Sequence, residues 1–293
     1  MKKLLIAGFG DVAHRALPAL VGRYRVSALV RSPERAACEP PAVEIVFGDL
    51  DRPETLGGLA RPVDRVLHCA PPPNSGGDDL RTQHLLDALA ATESREMLPQ
   101  RIVYLSTSGV YGDCAGERVD ESRAPAPQSD RARRRVDAER RLAEWTAARG
   151  TELVILRVPG IYAADRLPLD RLRAGTPALR PEDDGYTNHI HADDLAAIAV
   201  LALEHPRAGG VFNASDDSEM KMGDWFDLVA DRHGLPRPPR IARAEAASRV
   251  SPALLSFMAE SRRLVNRRMK EVLGVRLRYP TVFDGVPLSV TAE

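Results

Sequence analysis

Short apolar runs alternate with longer amphipathic segments through the first two thirds of the chain. The apolar runs have the length and composition of buried strands, and the segments between them repeat at helical spacing. Continuous apolar strands separated by helices are typical of a parallel sheet that is covered on both faces. The pattern therefore predicts an α/β fold with a doubly wound parallel sheet. The predicted strands are residues 3–8, 25–31, 43–50, 63–70, 101–108 and 152–159, and the predicted helices are residues 11–22, 79–92 and 129–142.

The pattern loosens after about residue 163 into short segments broken by prolines. A helix is predicted at residues 193–206 and a strand at residues 210–216, and both are expected to return to the first domain. The tail, residues 219–293, predicts small helices that cap a cleft. The expected domains are a first domain over residues 1–162, joined by residues 187–215, and a smaller substrate-binding subdomain over residues 163–293.

The charge balance and the cysteines narrow the choice of partner and compartment. The 293 residues include 41 basic and 41 acidic side chains, so the chain offers no positive field for nucleic acid. No apolar run reaches the roughly 18 residues of a membrane helix, and the apolar stretch at the start is too short for a signal peptide. Cys38, Cys69 and Cys114 form no Cys-x-x-Cys pattern, which predicts neither a disulfide framework nor a metal site. We expect a reduced, cytoplasmic protein that binds neither nucleic acid nor membrane.

The segment AGFGDVAHR, residues 7–15, joins the first predicted strand to the first predicted helix. Gly8 permits a tight turn, and Gly10 lets the backbone approach a pyrophosphate. Asp11 and Val12 then open the helix, whose N-terminus presents free N–H groups to an anion. The third position of the G-x-G-x-x-G pattern is alanine, an allowed variant, and the competing interpretation is a plain glycine turn. The strand–turn–helix context favours a dinucleotide-binding domain.

The end of the second strand indicates which dinucleotide binds. An acidic residue there would accept hydrogen bonds from the adenosine ribose and favour NAD. The sequence LVRSPER, residues 29–35, instead offers Arg31 to a 2′-phosphate, with Ser32 and Arg35 beside it. This predicts NADP, with NAD as the alternative. A solvated arginine at a strand end is the competing interpretation.

The ends of the next two strands are expected to line the same cofactor. Asp49 and Leu50 end the third strand and would face the adenine. Cys69, Ala70 and Pro71 end the fourth strand and would lie along the middle of the cofactor.

Several segments further along match one known family. YLSTSGVYGDCAGERVDESRAPAP, residues 104–127, resembles a segment of the extended short-chain dehydrogenase/reductases, in their NAD-dependent epimerase/dehydratase branch. LRVPGIYAADRL (156–167) resembles that family's strand before the substrate loop, and NHIHADDLAAIAVLAL (188–203) resembles the start of its late helix. GVFNASDD (210–217) and RLVNRRMKEVLGVRLRYPTVFDGV (263–286) are similar to its closing segments. The resemblance covers nearly the whole chain and implies a Rossmann sheet with a smaller substrate-binding subdomain.

The resemblance also implies an active site with a Ser or Thr, a Tyr and a Lys. Thr107 falls at the Ser/Thr position when counted back from the Val-Tyr-Gly motif. Counting back from the family's later glutamate puts Arg131 at the tyrosine position and Arg135 at the lysine position. Pro159 and Ile161 are implied to line the cofactor. The chain therefore resembles atypical members of the superfamily that lack the usual Tyr-x-x-x-Lys.

Two arginines can take over only some of the functions of the tyrosine and the lysine. Arginine stays protonated, so Arg131 is a poor general acid or base, but its fork suits a carboxylate or a phosphate. Arg135 keeps a positive charge and donors for the ribose of the cofactor. The competing interpretation is that residues 129–142 are the solvated start of a helix. The arginines expected to be solvated are Arg133, Arg134, Arg140 and Arg141.

Another group would then have to move the proton. Tyr111 is the first candidate because it follows Thr107 closely in the sequence. Tyr162 and Tyr186 flank the predicted substrate loop.

The segment HIHADD, residues 189–194, raises two further possibilities. His189 and His191 belong to the residue type that titrates near neutral pH. The segment also has the composition of a metal site, but Asp193 is better explained as a helix N-cap, so no metal is predicted.

Two functions of different classes follow. An NAD(P)-dependent oxidoreductase or epimerase/dehydratase-like enzyme would transfer hydride, with Thr107 on the reacting oxygen and Arg131 on a small polar, anionic or sugar-nucleotide substrate. Alternatively, the chain is a non-catalytic NADP(H)-binding sensor or interaction protein that has lost the active-site Tyr and Lys. A redox-neutral isomerase or dehydratase is a third interpretation. The resemblance also makes a homodimer an expectation.

Overall fold

The computed structural model describes residues 1–32, 34, 41–92 and 94–288 of the chain. Arg35 and Cys38 lie outside these residues. The strands of the described part are β1 (Lys2–Ala7), β2 (Tyr24–Val30), β3 (Val43–Phe47), β4 (Arg65–His68), β5 (Arg101–Thr107), β6 (Arg118–Val119), β7 (Glu152–Val158), β8 (Gly160–Tyr162), β9 (Ala178–Leu179), β10 (Tyr186–Thr187), β11 (His189–His191), β12 (Gly210–Asn213), β13 (Met220–Lys221), β14 (Arg240–Ile241) and β15 (Arg263–Leu264). Its α-helices are α1 (Asp11–Leu20), α2 (Leu80–Ala90), α3 (Asp130–Arg149), α4 (Leu169–Arg173), α5 (Ala192–Glu204), α6 (Met222–Arg232), α7 (Arg243–Arg249), α8 (Pro252–Met258), α9 (Arg267–Leu273) and α10 (Val282–Gly285). Its 3₁₀ helices are Pro53–Leu59, Arg95–Met97, Ser108–Tyr111 and Ala164–Arg166.

One parallel sheet of seven strands, in the order β12-β7-β5-β4-β1-β2-β3, forms the centre of the described chain. The chain starts in the middle of this sheet at β1, builds outward to β3, and returns to β4 on the other side of β1. Ile6 of β1 pairs with Ala28 of β2 on one side and with Leu67 of β4 on the other. The strand order reverses here, and such a point is where open α/β sheets bind ligands. The predicted doubly wound Rossmann sheet is confirmed.

Side chains of the central strands alternate between two helical layers, as strand geometry requires. Leu4 and Ile6 pack on one face with helices α1 and α5, and Leu5 and Ala7 pack on the other face with helices α2 and α3. All four side chains are buried. Because both faces are covered, these strands are continuous apolar runs in the sequence.

Helix α3 differs from its prediction because it continues beyond residue 142 to Arg149. The Ser129 hydroxyl caps its start by accepting a hydrogen bond from the Ala132 N–H at 3.3 Å. Trp145 in the extended part packs into the apolar layer on the sheet. Gly150, in the left-handed conformation with φ 71°, ends the helix.

Short strand pairs tie the second half of the chain to the first. Strand β8 pairs in parallel with β11, and β6 pairs in parallel with β15. Helix α5 packs in the same apolar layer as α1, and β12 forms an edge of the central sheet. Helix α6 belongs to a separate apolar cluster with Tyr162 and Leu172. The division of the chain into two domains at residue 162 stays a prediction.

None of the helices in the described ranges has both the length and the apolar character needed to cross a membrane.

Candidate active site

Two adjoining clefts open at the carboxyl ends of the central strands. The first has a volume of about 230 Å³ and follows the ends of β1 to β4. It lies where the strand order reverses, which is the position of the ligand crevice in doubly wound sheets. The residues that line it are Gly8, Phe9, Gly10, Leu29, Val30, Arg31, Gly48, Asp49, Leu50, Cys69, Ala70, Pro71 and Arg81.

The two glycines of the first turn are required for different reasons. Gly8 has φ +90°, and a Cβ there would lie 2.3 Å from the Ala70 amide nitrogen, so only glycine fits. Cys69 and Ala70 donate their N–H groups to the Ala7 carbonyl at 2.8 and 2.9 Å, which holds the end of β4 against this turn. A Cβ at Gly10 would meet no described atom within 4 Å. The space beside Gly10 fits a ligand that approaches the backbone closely.

The side chains of Asp11 and Val12 do not line the first cleft, so the predicted contact of these residues with the cofactor would be through the backbone. Val12 is buried in the apolar layer of α1. The Asp11 carboxylate accepts hydrogen bonds from Arg15 at 2.8 Å and from Arg166 at 2.7 Å. Burial alone would raise the pKa of Asp11, but these two guanidinium groups lower it below its ordinary value. Only the backbone N–H groups at the start of α1 remain for the predicted contact with an anion.

An exposed arginine lines the first cleft at the end of β2. Arg31 follows β2 and lines the cleft. Arg81, also in the lining, is held by an ion pair with Asp51 at 2.6 Å. The hydrogen bond from Arg81 lowers the pKa of Asp51, and the positive charge of Arg31 contributes to the same effect. Ser32 does not line this cleft, and its hydroxyl hydrogen-bonds to Glu34.

The remaining predicted contacts lie along the floor of the first cleft, where the structure brings together Asp49, Leu50, Cys69, Ala70 and Pro71. His84 donates a hydrogen bond to the Leu50 carbonyl at 2.7 Å and so fixes the loop that follows β3. Burial raises the pKa of the Cys69 thiol to about 12, so the thiol stays protonated. Pro71 lines both clefts and marks their junction.

The second cleft has a volume of about 520 Å³ and carries an excess of positive charge. It is bounded by the ends of β5 and β7, the first turn of α3 and the segment that follows α8. Thr107, Pro159 and Ile161 line it, as does Tyr186. An excess of cationic side chains favours an anionic ligand. The charged residues that line it within the described chain are Arg131, Arg134, Arg135, Arg166, Arg262 and Glu260.

Thr107 ends β5 and caps the 3₁₀ helix that follows. Its Oγ1 accepts the Gly109 N–H at 3.2 Å, and the side chain is partly exposed in the second cleft. Below it, the Ser106 hydroxyl donates to the buried Glu139 carboxylate at 2.5 Å, which fixes the end of the strand. Thr107 can therefore donate its hydroxyl proton in a hydrogen bond to a substrate oxygen.

Arg135 lines the second cleft and is fixed against β5. Its Nη1 donates to the Tyr104 hydroxyl and to the Leu105 carbonyl, both at 2.9 Å. Burial raises the pKa of Tyr104 to about 12, and the positive charge of Arg135 opposes that rise. The same charge acts on Cys69 of the first cleft. Arg135 thus supplies a fixed positive charge where the resemblance implies the charge of a lysine.

Arg131 lies over an aromatic ring in the second cleft. Its Cζ is 4.0 Å from the centroid of the Phe257 ring, and its guanidinium group makes no hydrogen bond to another described residue. Desolvation lowers the pKa of Arg131, and Glu260 raises it, while the charges of Arg135 and Arg262 lower it further. A guanidinium group nevertheless stays protonated in proteins, so Arg131 can bind an anion but cannot supply the proton.

Arg134 is not solvated, contrary to expectation. It is only 6% exposed and lines the second cleft. Its Nη1 donates to the Gly76 carbonyl at 2.6 Å, and its buried Nε has no partner among the described residues. Arg133 and Arg140 are exposed, as expected, whereas Arg141 is partly buried.

The structure does not place Tyr111 at the second cleft. Its ring is buried, and its hydroxyl donates to the Asn213 Oδ1 at 2.8 Å. Arg157 stacks over the ring at 4.7 Å, and burial raises the pKa of Tyr111. Tyr162 is also buried away from the cleft, so of the three candidate tyrosines it is Tyr186 that lines it.

The two histidines of HIHADD are buried and have structural contacts. Burial lowers the pKa of His189 to about 3 and lowers the pKa of His191 as well, so both are neutral at neutral pH. His191, rather than Asp193, caps helix α5, because its Nδ1 accepts the Asp193 N–H at 3.2 Å. The Asp193 carboxylate pairs with Arg15 at 2.7 Å. Over the described residues, the His, Cys, Asp and Glu side chains form no group of three or more that could hold a metal ion.

Comparison with known proteins identifies the family. Residues 8–206 match the family described as NAD(P)H-binding. This chain belongs to that family. Over 98% of its length it is 30% identical to the 3-diazoavenalumate denitrifying reductase of a Streptomyces species, and it covers 99% of that protein.

Solved structures agree with this membership. A conserved protein of unknown function from Silicibacter pomeroyi is 31% identical, with a TM-score of 0.80 over 97% of this chain and 96% of that chain. UDP-glucose 4-epimerase of Thermus thermophilus in complex with NAD has a TM-score of 0.75 over 98% of this chain and 97% of that chain, at 21% identity. The resemblance to the epimerase/dehydratase branch is confirmed, and the cofactor is NAD or NADP.

The sequence analysis did not single out several residues that line the second cleft, among them four with a charged or aromatic side chain. Phe257, Glu260 and Arg262 lie in the tail, which the pattern marks only as small helices above a cleft. Arg166 lies in residues 156–167, a segment that matched the family only as the strand before the substrate loop. The excess of arginine around the loop and the tail was the available signal, but a sequence does not say which arginines face one cavity.

Proposed function

We propose that this protein is an NADPH-dependent reductase that transfers hydride to a small anionic substrate in the second cleft. The observation that carries the proposal is the junction of the two clefts at Pro71. The first cleft has the glycine turn and the strand ends that suit a dinucleotide. The second has a polar hydroxyl, Thr107, and an excess of arginine. A nicotinamide ring at the junction would face both.

The residues of the first cleft fit the dinucleotide. The space beside Gly10, which no described side chain fills, suits a pyrophosphate against the N–H groups that open α1. Arg31 is exposed at the end of β2, where a guanidinium group can bind the 2′-phosphate of NADP. Arg135 supports the ribose next to the nicotinamide with a fixed positive charge and spare N–H donors. When bound, the cofactor supplies the hydride at C4 of its nicotinamide.

The second cleft supplies the polar groups for the acceptor. As the substrate carbon gains hydride, the electron pair of the reduced C=O bond moves to its oxygen. The Thr107 hydroxyl holds that oxygen, and the proton comes from Tyr186 or from water. Reduction, rather than epimerisation, is supported by the Streptomyces relative, which is named a reductase. The name of that relative refers to 3-diazoavenalumate, an anion, in keeping with the positive charge of this cleft.

Replacing Thr107 by valine tests the reductase directly. A panel of small carboxylates that bear a reducible carbonyl is screened by following NADPH oxidation. We expect Thr107→Val to lower kcat by about 100-fold, the order of magnitude for removing one donor to a developing oxyanion. Thr107→Ser should retain most activity because it keeps the hydroxyl. NADPH affinity should be the same in all three proteins. Equal turnover by Thr107→Val and the parent would rule out this role of Thr107.

A non-catalytic NADP(H)-binding protein is the second candidate function. The observation that favours it is the presence of Arg131 and Arg135 where the family has tyrosine and lysine. This candidate predicts tight NADPH binding without oxidation in the presence of any member of the panel. Reproducible NADPH oxidation that is lost in Thr107→Val would exclude it.

A further inference from the structure

The first turn of helix α3 directs three arginines into the second cleft. Arg131, Arg134 and Arg135 are separated by three and four residues, the spacing that places side chains on one helix face. Arg135 is held by β5, as described above. Arg131 and Arg134 make no ion pair with a carboxylate of the described chain. The cleft thus contains two guanidinium groups whose charge the described residues leave unpaired.

Arg134 gives the strongest indication that the second cleft binds an anion. It is 6% exposed, and its Nε is buried without a hydrogen-bond partner in the described part of the chain. Its Nη1 bonds only to a backbone carbonyl, that of Gly76 at 2.6 Å. A buried charge without a counter-charge is unfavourable, so such groups in folded proteins are normally paired. An anion in the cleft would supply the counter-charge.

Arg262 brings a further guanidinium group to the same cleft from the tail. Its Nη1 bonds to the Gly112 carbonyl at 2.6 Å and to Glu260 at 2.8 Å. Its Nε is buried and has no partner among the residues described. Glu260 therefore offsets one positive charge of the cleft and leaves the others for a ligand.

Apolar side chains line part of the second cleft, and asparagine, serine and threonine side chains line other parts of it. Phe257 is 44% exposed and lies beneath the Arg131 guanidinium group, and Met222, Val158 and Ile161 also line the cleft. A ligand that satisfies both surfaces has an anionic end and a flat apolar body.

We infer that Arg134, together with Arg131 and Arg262, binds the carboxylate of an aryl or unsaturated acid whose apolar body lies on Phe257. The inference rests on the proposed function, because it names the substrate class of that site. The planar fork of arginine matches the two oxygens of a carboxylate, and several N–H donors can share them. Arg134 is then a specificity-determining residue that selects the anionic end of the substrate.

The test is a calorimetric titration of the protein saturated with NADP⁺, so that no hydride can be transferred. The probes are trans-cinnamate, its neutral amide of nearly the same shape, and phenyl phosphate. We expect cinnamate to bind about 10- to 100-fold more tightly than cinnamamide, the range for charge-assisted hydrogen bonds. Arg134→Met should remove most of that difference and leave the affinity for NADP⁺ unchanged. Arg133→Met, the matched control, should behave as the parent because Arg133 is exposed and pairs with Asp130.

The possible outcomes distinguish a failure of this inference from a failure of the proposed function. Failure to bind NADP⁺ at all would contradict the proposed function. Normal NADP⁺ binding with equal affinity for cinnamate and cinnamamide would overturn the carboxylate site alone, and tighter binding of phenyl phosphate would replace it with a phosphate site. Loss of NADP⁺ affinity in Arg134→Met together with loss of cinnamate binding would show that Arg134 anchors the loop at Gly76 instead. Arg134→Lys gives a further check, because a lysine keeps the charge and should restore part of the preference for cinnamate.

Discussion

Gly8→Ala is expected to lower both the free energy of unfolding and the affinity for NADPH, whereas Gly10→Ala should lower the affinity alone. At Gly8 the new methyl group would lie 2.3 Å from the Ala70 nitrogen on a backbone with φ +90°. Strain and overpacking of this kind cost about 2–6 kcal/mol together. At Gly10 the methyl group would enter open space in the protein but would occupy the place of the pyrophosphate. We expect the NADPH Kd of Gly10→Ala to rise by about 10-fold or more, a steric cost of roughly 1–3 kcal/mol.

Thermal unfolding without ligand and an NADPH titration separate the two effects. Gly57→Ala is the matched control, because its Cβ would also meet no described atom within 4 Å and it lies outside both clefts. It should change neither the Tm nor the Kd appreciably. If Gly10→Ala bound NADPH as tightly as the parent, the pyrophosphate would not lie on this turn.

Glu139→Gln is expected to destabilise the protein by about 3–5 kcal/mol, the range for removing one partner of a buried ion pair. Glu139 and Arg157 are 7% and 4% exposed, and the Arg157 Nη2 lies 2.8 Å from the Glu139 Oε2. The substitution keeps the shape of the side chain but leaves the Arg157 charge buried without compensation. Because Glu139 also accepts the hydrogen bond from Ser106, the end of β5 beneath Thr107 should loosen as well.

Urea denaturation measures this cost, with Glu144→Gln as the control on the same helix. Glu144 pairs with Arg140 at 2.9 Å, but both side chains are exposed, so its loss should cost less than about 1 kcal/mol. The double variant Glu139→Gln/Arg157→Met should lose less than the sum of the two single changes, because neither charge is then left alone. An equal loss of unfolding free energy in Glu139→Gln and Glu144→Gln would show that the buried ion pair stabilises the protein no more than the exposed one.

The sheet could be predicted from the sequence because its strands are buried on both faces. Their apolar runs, such as residues 101–108, are local signals that do not depend on knowing the partner strand. The glycine turn was equally local, since Gly8 and Gly10 follow a strand and precede a helix. The structure places both at the edge of the first cleft.

The sequence could not show the direction of side chains that depends on tertiary packing. Tyr111 is close to Thr107 in sequence, but its hydroxyl bonds to Asn213 on a distant strand. Arg134 lies in a run of charged residues that is typical of a solvated helix surface. In the structure it is buried, and it donates a hydrogen bond to the carbonyl of Gly76. Spacing along one helix cannot show such contacts. For the same reason the sequence could not show that Arg262 faces the same cleft.

The most direct test of the proposed function is the affinity of the purified protein for NADPH and for NADH, measured by cofactor fluorescence. We expect NADPH to bind about 10- to 100-fold more tightly than NADH, because of charge-assisted hydrogen bonds between Arg31 and the 2′-phosphate. Arg31→Ala should remove that preference and leave the affinity for NADH unchanged. Binding of NADH as tight as that of NADPH would contradict the assignment of Arg31 and of the cofactor. Binding of neither would contradict the reductase itself.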